Sequence, residues 1–242
     1  MWKRDFFKRF LPQAIGSVRR MVDQREHVSH RYLTGTGIEI GALHNPLPVP
    51  KQAQVRYVDR LPLPELRQHY PELNHLPMVT VDVVDDGETL ATLADASQDF
   101  VIANHFLEHC QNPIRALVNM FRVLKPQGIL YTSVPDKRLT FDRDRPVTEL
   151  SHLIRDYEQG PQISRQAAFE EYVRLVDKVT DPAKAREKID HYLAIDYSIH
   201  YHAWTEVEML ELLVYLHKVL KLPFDVEYLA RNEIEIVMIL RK

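Results

Sequence analysis

Short apolar, β-branched runs alternate with helix-length polar or amphipathic stretches through the first half of the chain. Gly37-Ile38-Glu39-Ile40 reads as a buried strand that breaks at Gly41, and Val55-Arg56-Tyr57-Val58 as a second that ends on Asp59. Met78 to Val84 reads as a third strand, closing in the acidic turn Asp85-Asp86-Gly87-Glu88. Asp99 to Asn104 is a fourth, apolar on both faces as a central parallel strand must be. Two proline-rich segments, Pro46 to Pro50 and Pro62 to Pro77, predict loops and short turns. Asn112-Pro113 supplies an N-cap and a proline at the first helical position. The helix it opens carries Ile114, Leu117, Val118, Phe121 and Leu124 at helical spacing. It stops at Lys125-Pro126-Gln127-Gly128, and Ile129 to Val134 forms a fifth strand.

Strands separated by helix-length connections imply a parallel sheet with right-handed crossovers. From Pro135 to about Tyr201 the pattern changes to polar helices, with candidates at Glu149 to Tyr157, Ser164 to Val179 and Pro182 to Leu193. This stretch is too long for a crossover and reads as an inserted helical cap. Thr205-Glu206-Val207-Glu208 is a capping box opening a helix to about Leu220. Two strands close the chain, Pro223 to Leu229 and Glu233 to Leu240, with only Ala230-Arg231-Asn232 between them, so they form an antiparallel hairpin. The expected fold class is α/β: a seven-stranded, mostly parallel sheet with a C-terminal antiparallel hairpin and a helical cap after strand five. The expected organisation is a helical arm over residues 1–34 and one domain over 35–242, with the cap at about 136–201.

Composition adds constraints. The formal net charge of −3 gives no general electrostatic footprint for nucleic acid, so no nucleic-acid partner is expected. The single cysteine, Cys110, excludes an intrachain disulfide and fits a reducing, cytoplasmic compartment. Met1 to Leu11 alternates basic with bulky apolar residues and lacks the continuous apolar core of a secretory signal. Such a helix either lies peripherally on a membrane surface, inserting Trp2, Phe6, Phe7 and Phe10, or packs on its own domain or a partner protein; packing is the favoured reading.

The chemistry concentrates at the strand ends. Glycine at the end of a first strand lets a ligand approach the backbone closely, and an acid at the tip of the second can accept two hydrogen bonds from a ribose diol. Gly41 and Asp59 stand in those places.

Glu39-Ile40-Gly41, Asp59, the run Asp99 to His109 and the junction Arg122 to Leu130 together resemble the class I S-adenosylmethionine-dependent methyltransferases, of the type 11-like kind, over about residues 35 to 135 and the closing hairpin. The resemblance implies a Rossmann-like sheet, S-adenosylmethionine as cofactor and methyl transfer as the activity. It implies cofactor contacts from Glu39, Gly41, Ala42, Asp59, Asn104 and His105, and from Asp85 or Asp86 at the adenine. The chain departs from the family where Leu43, His44 and Asn45 replace further glycines, and where Gln127 replaces the first glycine of the junction.

His200 and His202, just before the capping box, and His152, early in the cap, are the candidates for proton abstraction from an acceptor, because histidine can be neutral and basic near pH 7. Asp136, Arg138, Asp142, Arg143 and Arg145 follow strand five and are expected at the same mouth, where the arginines could grip an acidic group on a substrate. His105-x-x-Glu108-His109 also matches an inverted zinc-peptidase pattern, but the helical register breaks at Asn112-Pro113 and no metal is expected. The expected function is methyl transfer, in particular O-methylation, to a small-molecule or glycan-type acceptor under the cap. The alternative is a non-catalytic binding module that keeps the cofactor; a nicotinamide oxidoreductase lacks its Gly-x-Gly-x-x-Gly turn.

Overall fold

Alternate residues of four central strands face opposite sides of the sheet, and each side has its own apolar cluster. A computed structural model describes residues 15–242, with the side chains of 15–20 and 23 excepted, so the expectation for Met1 to Leu11 lies outside the described residues. The elements run α1 (Ile15–Tyr32), β1 (Gly35–Ile40), β2 (Ala53–Asp59), α2 (Leu63–His69), β3 (Val83–Val84), β4 (Gln98–Asn104), α3 (Pro113–Val123) and β5 (Leu124–Pro135). After them come α4 (Leu150–Gln159), α5 (Gln162–Leu175), α6 (Pro182–Ala194), α7 (Glu206–Lys218), β6 (Asp225–Asn232) and β7 (Glu235–Arg241).

The strands form one sheet in the order β3-β2-β1-β4-β5-β7-β6. Pairing is parallel from β3 to β5, and β7 then runs antiparallel to both β5 and β6. On one side Ile38, Val101, Leu130 and Met238 pack with Leu117 and Phe121 of α3 and Leu212 and Leu216 of α7. On the other, Phe100, Ile102, Tyr131 and Ile239 pack with Val28 of α1 and Leu33 just after it. The second half of α1 is therefore part of the domain's core rather than a separate arm. Arg25, buried on the same helix, binds buried Glu235 of β7 through Nε at 2.7 Å.

Both predicted caps form. Asn112 Oδ1 accepts the Arg115 N–H, and the Thr205/Glu208 capping box is complete. The helical stretch after β5 has a narrow base: Asp136 and Trp204 pair as an isolated parallel bridge where the chain leaves and re-enters the sheet. Its interior has its own core, including Phe141, Phe169, Val173, Tyr192 and Ile199.

Four boundaries differ from the sequence reading. The third strand shrinks to Val83–Val84, because β2 offers it only Val58 and Asp59 as partners. The proline-rich segment after β2 contains a true helix, α2, since a proline at the first turn has no intrahelical N–H to lose. The chain also enters β5 directly from α3: Leu124 pairs with Gln98 across a bulge, and Gln127 rather than Gly128 takes the left-handed conformation (φ 68°). Finally, the closing hairpin turns at Glu233 and Ile234, so Ala230 to Asn232 are strand.

Candidate functional site

The parallel register carries the carboxyl ends of β1, β2 and β4 to one edge of the sheet. Ile40 aligns with Val58, and the Gly41 N–H donates to the Val58 carbonyl at 2.9 Å, so Asp59 comes beside Gly41. A cavity of about 350 Å³ opens there, within the usual range for a small-molecule site.

Gly41 lines it with φ +66°, a conformation that favours glycine, and a Cβ there would point into open space. That is the close-approach geometry a ligand backbone contact needs. Leu43, where the resemblance expects glycine, also lies in the left-handed region (φ 52°) and lines the wall. Asp59 lines the cavity and accepts the Arg60 N–H on Oδ1 at 2.8 Å. Asp86, Gly87 and Glu88 form the next part of the wall. Gly87 is required by packing, because a Cβ would lie 2.6 Å from both Ile40 and Phe106. Phe106 and the edge of His105 follow from the end of β4, and then His109.

The far wall comes from the cap, through Asp196, Tyr197, Ser198 and Tyr201. A salt bridge from Arg60 to Asp196 at 3.3 Å spans from the β2 tip to this wall. Both partners are substantially exposed, so the link is a weak rim contact rather than a lock.

The structure divides the expected cofactor residues. Gly41, Asp59, Asp86 and His105 line the cavity, whereas Glu39, Ala42, Asp85 and Asn104 do not. Glu39 points to the other side of β1, where its carboxylate accepts the Leu47 N–H at 2.9 and 3.1 Å and so fixes the loop after Gly41. Asp85 turns back to hold the 91–92 turn, accepting from Ala91 N, Thr92 N and Thr92 Oγ1. Burial works against its charge, but these hydrogen bonds outweigh it and hold its pKa below the ordinary value. Asn104 Oδ1 accepts the Ser133 hydroxyl at 2.9 Å. His105 adopts φ +49°, and its ring bonds Glu235 Oε2 through Nε2 at 2.8 Å. Burial lowers its basicity, but Glu108 and Glu235 more than reverse this and raise its pKa.

None of the three histidines expected as a base lines this cavity. His200 is fully buried and bonds Asp142 Oδ2 through Nδ1 at 2.6 Å. His202 is buried in a stack on Trp204, with ring centroids 5.2 Å apart, and burial drives its pKa well down, aided by His152 and Arg145. His152 lies on the outer side of the cap base, 3.1 Å from Asp156, lining a separate surface cavity with Glu149 and Ser164.

The expected substrate grip is also redirected. Asp136 is fully buried and accepts from Arg138, which also pairs with Glu206. Arg145 is buried against Asp142 and Glu171 and donates to the His200 and Tyr201 carbonyls. Arg143, 74% exposed, faces solvent beside Asp144. These residues brace the cap; none lines the cavity, because each buried charge is used by a neighbour of opposite charge. Sequence reasoning did not place His109, Tyr70 or Ser198 there. Their convergence depends on cap packing that no local spacing encodes.

Residues 34–132 match the family model of a methyltransferase domain. No curated protein matches the chain. Among solved structures, the PH0226 protein from Pyrococcus horikoshii OT3 is 16% identical, with 99% of this chain and 97% of that one covered at a TM-score of 0.54. A Rhodobacter sphaeroides protein that carries an alcohol-dehydrogenase name is 15% identical, with 91% and 90% covered at 0.53. At such identities the likeness shows a shared fold alone. A SAM dependent methyltransferase from Aquifex aeolicus, 13% identical with 91% and 88% covered, scores 0.48 and is too distant to add to it.

Proposed function

We propose that this chain, whose residues 34–132 match the family model of a methyltransferase domain, is a class I S-adenosylmethionine-dependent enzyme that methylates a hydroxyl of a small-molecule or glycan-type acceptor held between the sheet edge and the cap. One observation carries this reading. The cavity at the strand tips is walled on its far side by cap residues, Asp196 to Ser198 and Tyr201, which favours an enclosed acceptor over an open groove. The sulfonium cofactor supplies an electrophilic methyl group when bound.

The chain's own residues do the positioning. Gly41 leaves room at the end of β1 for the amino-acid part of the cofactor. Asp59 and Asp86 line the cavity; Asp59 would accept from a ribose diol and Asp86 would meet the adenine amino group. Phe106, Leu43 and Ile40 give the cavity an apolar side. Tyr70, His109, Tyr197 and Tyr201 add polar rings to the lining, and an acceptor hydroxyl would have to lie among them in line with the methyl–sulfur bond. His109 belongs to this wall, whereas His152, His200 and His202 do not line it.

Calorimetric titration of S-adenosylmethionine and S-adenosylhomocysteine into the full chain, with Asp59→Ala as control, tests the reading. Micromolar binding that the variant loses supports it and justifies acceptor screening with isotopically labelled methyl donor. If neither ligand binds, the proposal fails and a non-catalytic module replaces it.

A further inference from the structure

Three ligating side chains converge where the cap meets the sheet domain. Glu108 and His109 belong to the 3-10 turn Leu107–His109 after β4, and His200 lies at the cap's exit. One ligand atom from each of the three lies within 4.8 Å of the other two. His200 Nε2 stands 4.0 Å from Glu108 Oε1, and the His109 and His200 rings meet edge to face with centroids 4.7 Å apart.

The proton positions follow from the partners. His109 Nδ1 lies 2.8 Å from the Ile199 carbonyl. A carbonyl only accepts, so the proton sits on Nδ1 and the lone pair on Nε2. His200 Nδ1 lies 2.6 Å from the Asp142 carboxylate, which Arg145 holds in place at 2.8 Å, and the same logic leaves its lone pair on Nε2. The third member is more telling. Glu108 is fully buried, and neither carboxylate oxygen makes a hydrogen bond. Its nearest charged neighbour, His105 at 3.5 Å, is already bonded through its other nitrogen to Glu235. The cation beside Glu108 is thus shared with Glu235, and the buried Glu108 oxygens keep lone pairs that no hydrogen bond uses.

We infer that Glu108, His109 and His200 form a binding site for one divalent first-row transition-metal ion. Two imidazole nitrogens and one carboxylate oxygen suit zinc, iron(II), cobalt(II) or manganese(II), whereas calcium and magnesium prefer all-oxygen sets. The Nδ1 partners supply the outer shell such sites use: a backbone carbonyl orients one ring and a carboxylate the other. Because His109 lines the strand-tip cavity, the ion sits in that cavity's wall and ties the turn after β4 to the cap. The inference does not depend on the methyl-transfer reading, since metal binding is measured without cofactor or acceptor.

The test strips the full chain with a chelator, titrates it with cobalt(II), and then competes with zinc(II). One ion per chain is expected by elemental analysis after gel filtration, with a visible ligand-field absorption that zinc removes. Glu108→Gln and His109→Gln should each weaken binding at least tenfold, while His75→Gln, on an exposed histidine, leaves it unchanged. Far-ultraviolet circular dichroism checks that the variants are folded; if Glu108→Gln is not, His109→Gln, on the less buried ligand, carries the comparison. Absence of stoichiometric uptake of cobalt, zinc or manganese by the wild-type chain overturns the inference. So does uptake that survives in both ligand variants, or that His75→Gln removes equally.

Discussion

His200 donates from Nδ1 to Asp142 Oδ2 across 2.6 Å with both side chains fully buried, joining the two ends of the cap. Asp142 lies just after β5 and His200 58 residues later, so the pair staples the insertion's beginning to its end. Arg145 completes the unit by pairing with Asp142 and holding the His200 and Tyr201 carbonyls. Asp142→Asn keeps the shape but leaves the Arg145 guanidinium without its buried partner. A loss of about 3 kcal/mol is expected in urea denaturation. A loss within about 0.5 kcal/mol, as at surface positions, would mean that water already screens the pair.

Arg25 and Glu235 should tie α1 to the sheet with comparable strength. Glu235 is fully buried; burial opposes its charge, but Arg25 and His105 overcome this and hold its pKa far below the ordinary range. Arg25→Met removes one of its two cationic partners and should cost about 3 kcal/mol. Hydrogen exchange should rise in α1 and at the β7 start. Unchanged exchange in both would show that the helix is held by Val28 and Met21 alone.

Gly41→Ala separates backbone strain from ligand space. The new Cβ touches nothing within 4 Å, so the stability cost is only that of φ +66° for a residue with a side chain, about 1 kcal/mol. The methyl points into the cavity region, however, and S-adenosylmethionine affinity should fall at least tenfold, about 1.4 kcal/mol. Equal affinity in the two proteins would move the cofactor away from the end of β1.

Acid should unfold the wild type more steeply than Asp85→Asn. The folded Asp85 pKa is depressed, burial being outweighed by the Thr92, Asp86 and Ala91 hydrogen bonds. A depressed carboxylate contributes stability that is fully present above its unfolded pKa, about 3.9, and is lost as pH falls through the folded value. Urea midpoints measured from neutral pH to about pH 3 should therefore converge for the two proteins at the acid end. Parallel curves would show that Asp85 makes no linked contribution.

The sequence by itself determined the sheet's hydrophobic strands, the Asn112 and Thr205 caps, the antiparallel closure and the Gly41/Asp59 pair. Each depends on neighbours within a few residues: a strand shows its burial by its own apolar run, a cap by its own hydroxyl or amide, and a strand tip by where the run stops. The short β3 was not legible, because its length depends on how much of β2 extends past β1. Nor was the fate of the charged residues after β5. Asp136, Arg138, Asp142 and Arg145 look alike in sequence to a substrate grip, and only the folded cap shows each one paired with an opposite charge, as Asp136 is with Arg138 and Arg145 with Asp142 and Glu171. His109 meets the Ile199 carbonyl across 90 residues of chain. Tertiary packing alone decided that contact, since two segments so far apart meet only when the cap's own core and the narrow Asp136–Trp204 base bring the exit segment back over the sheet edge.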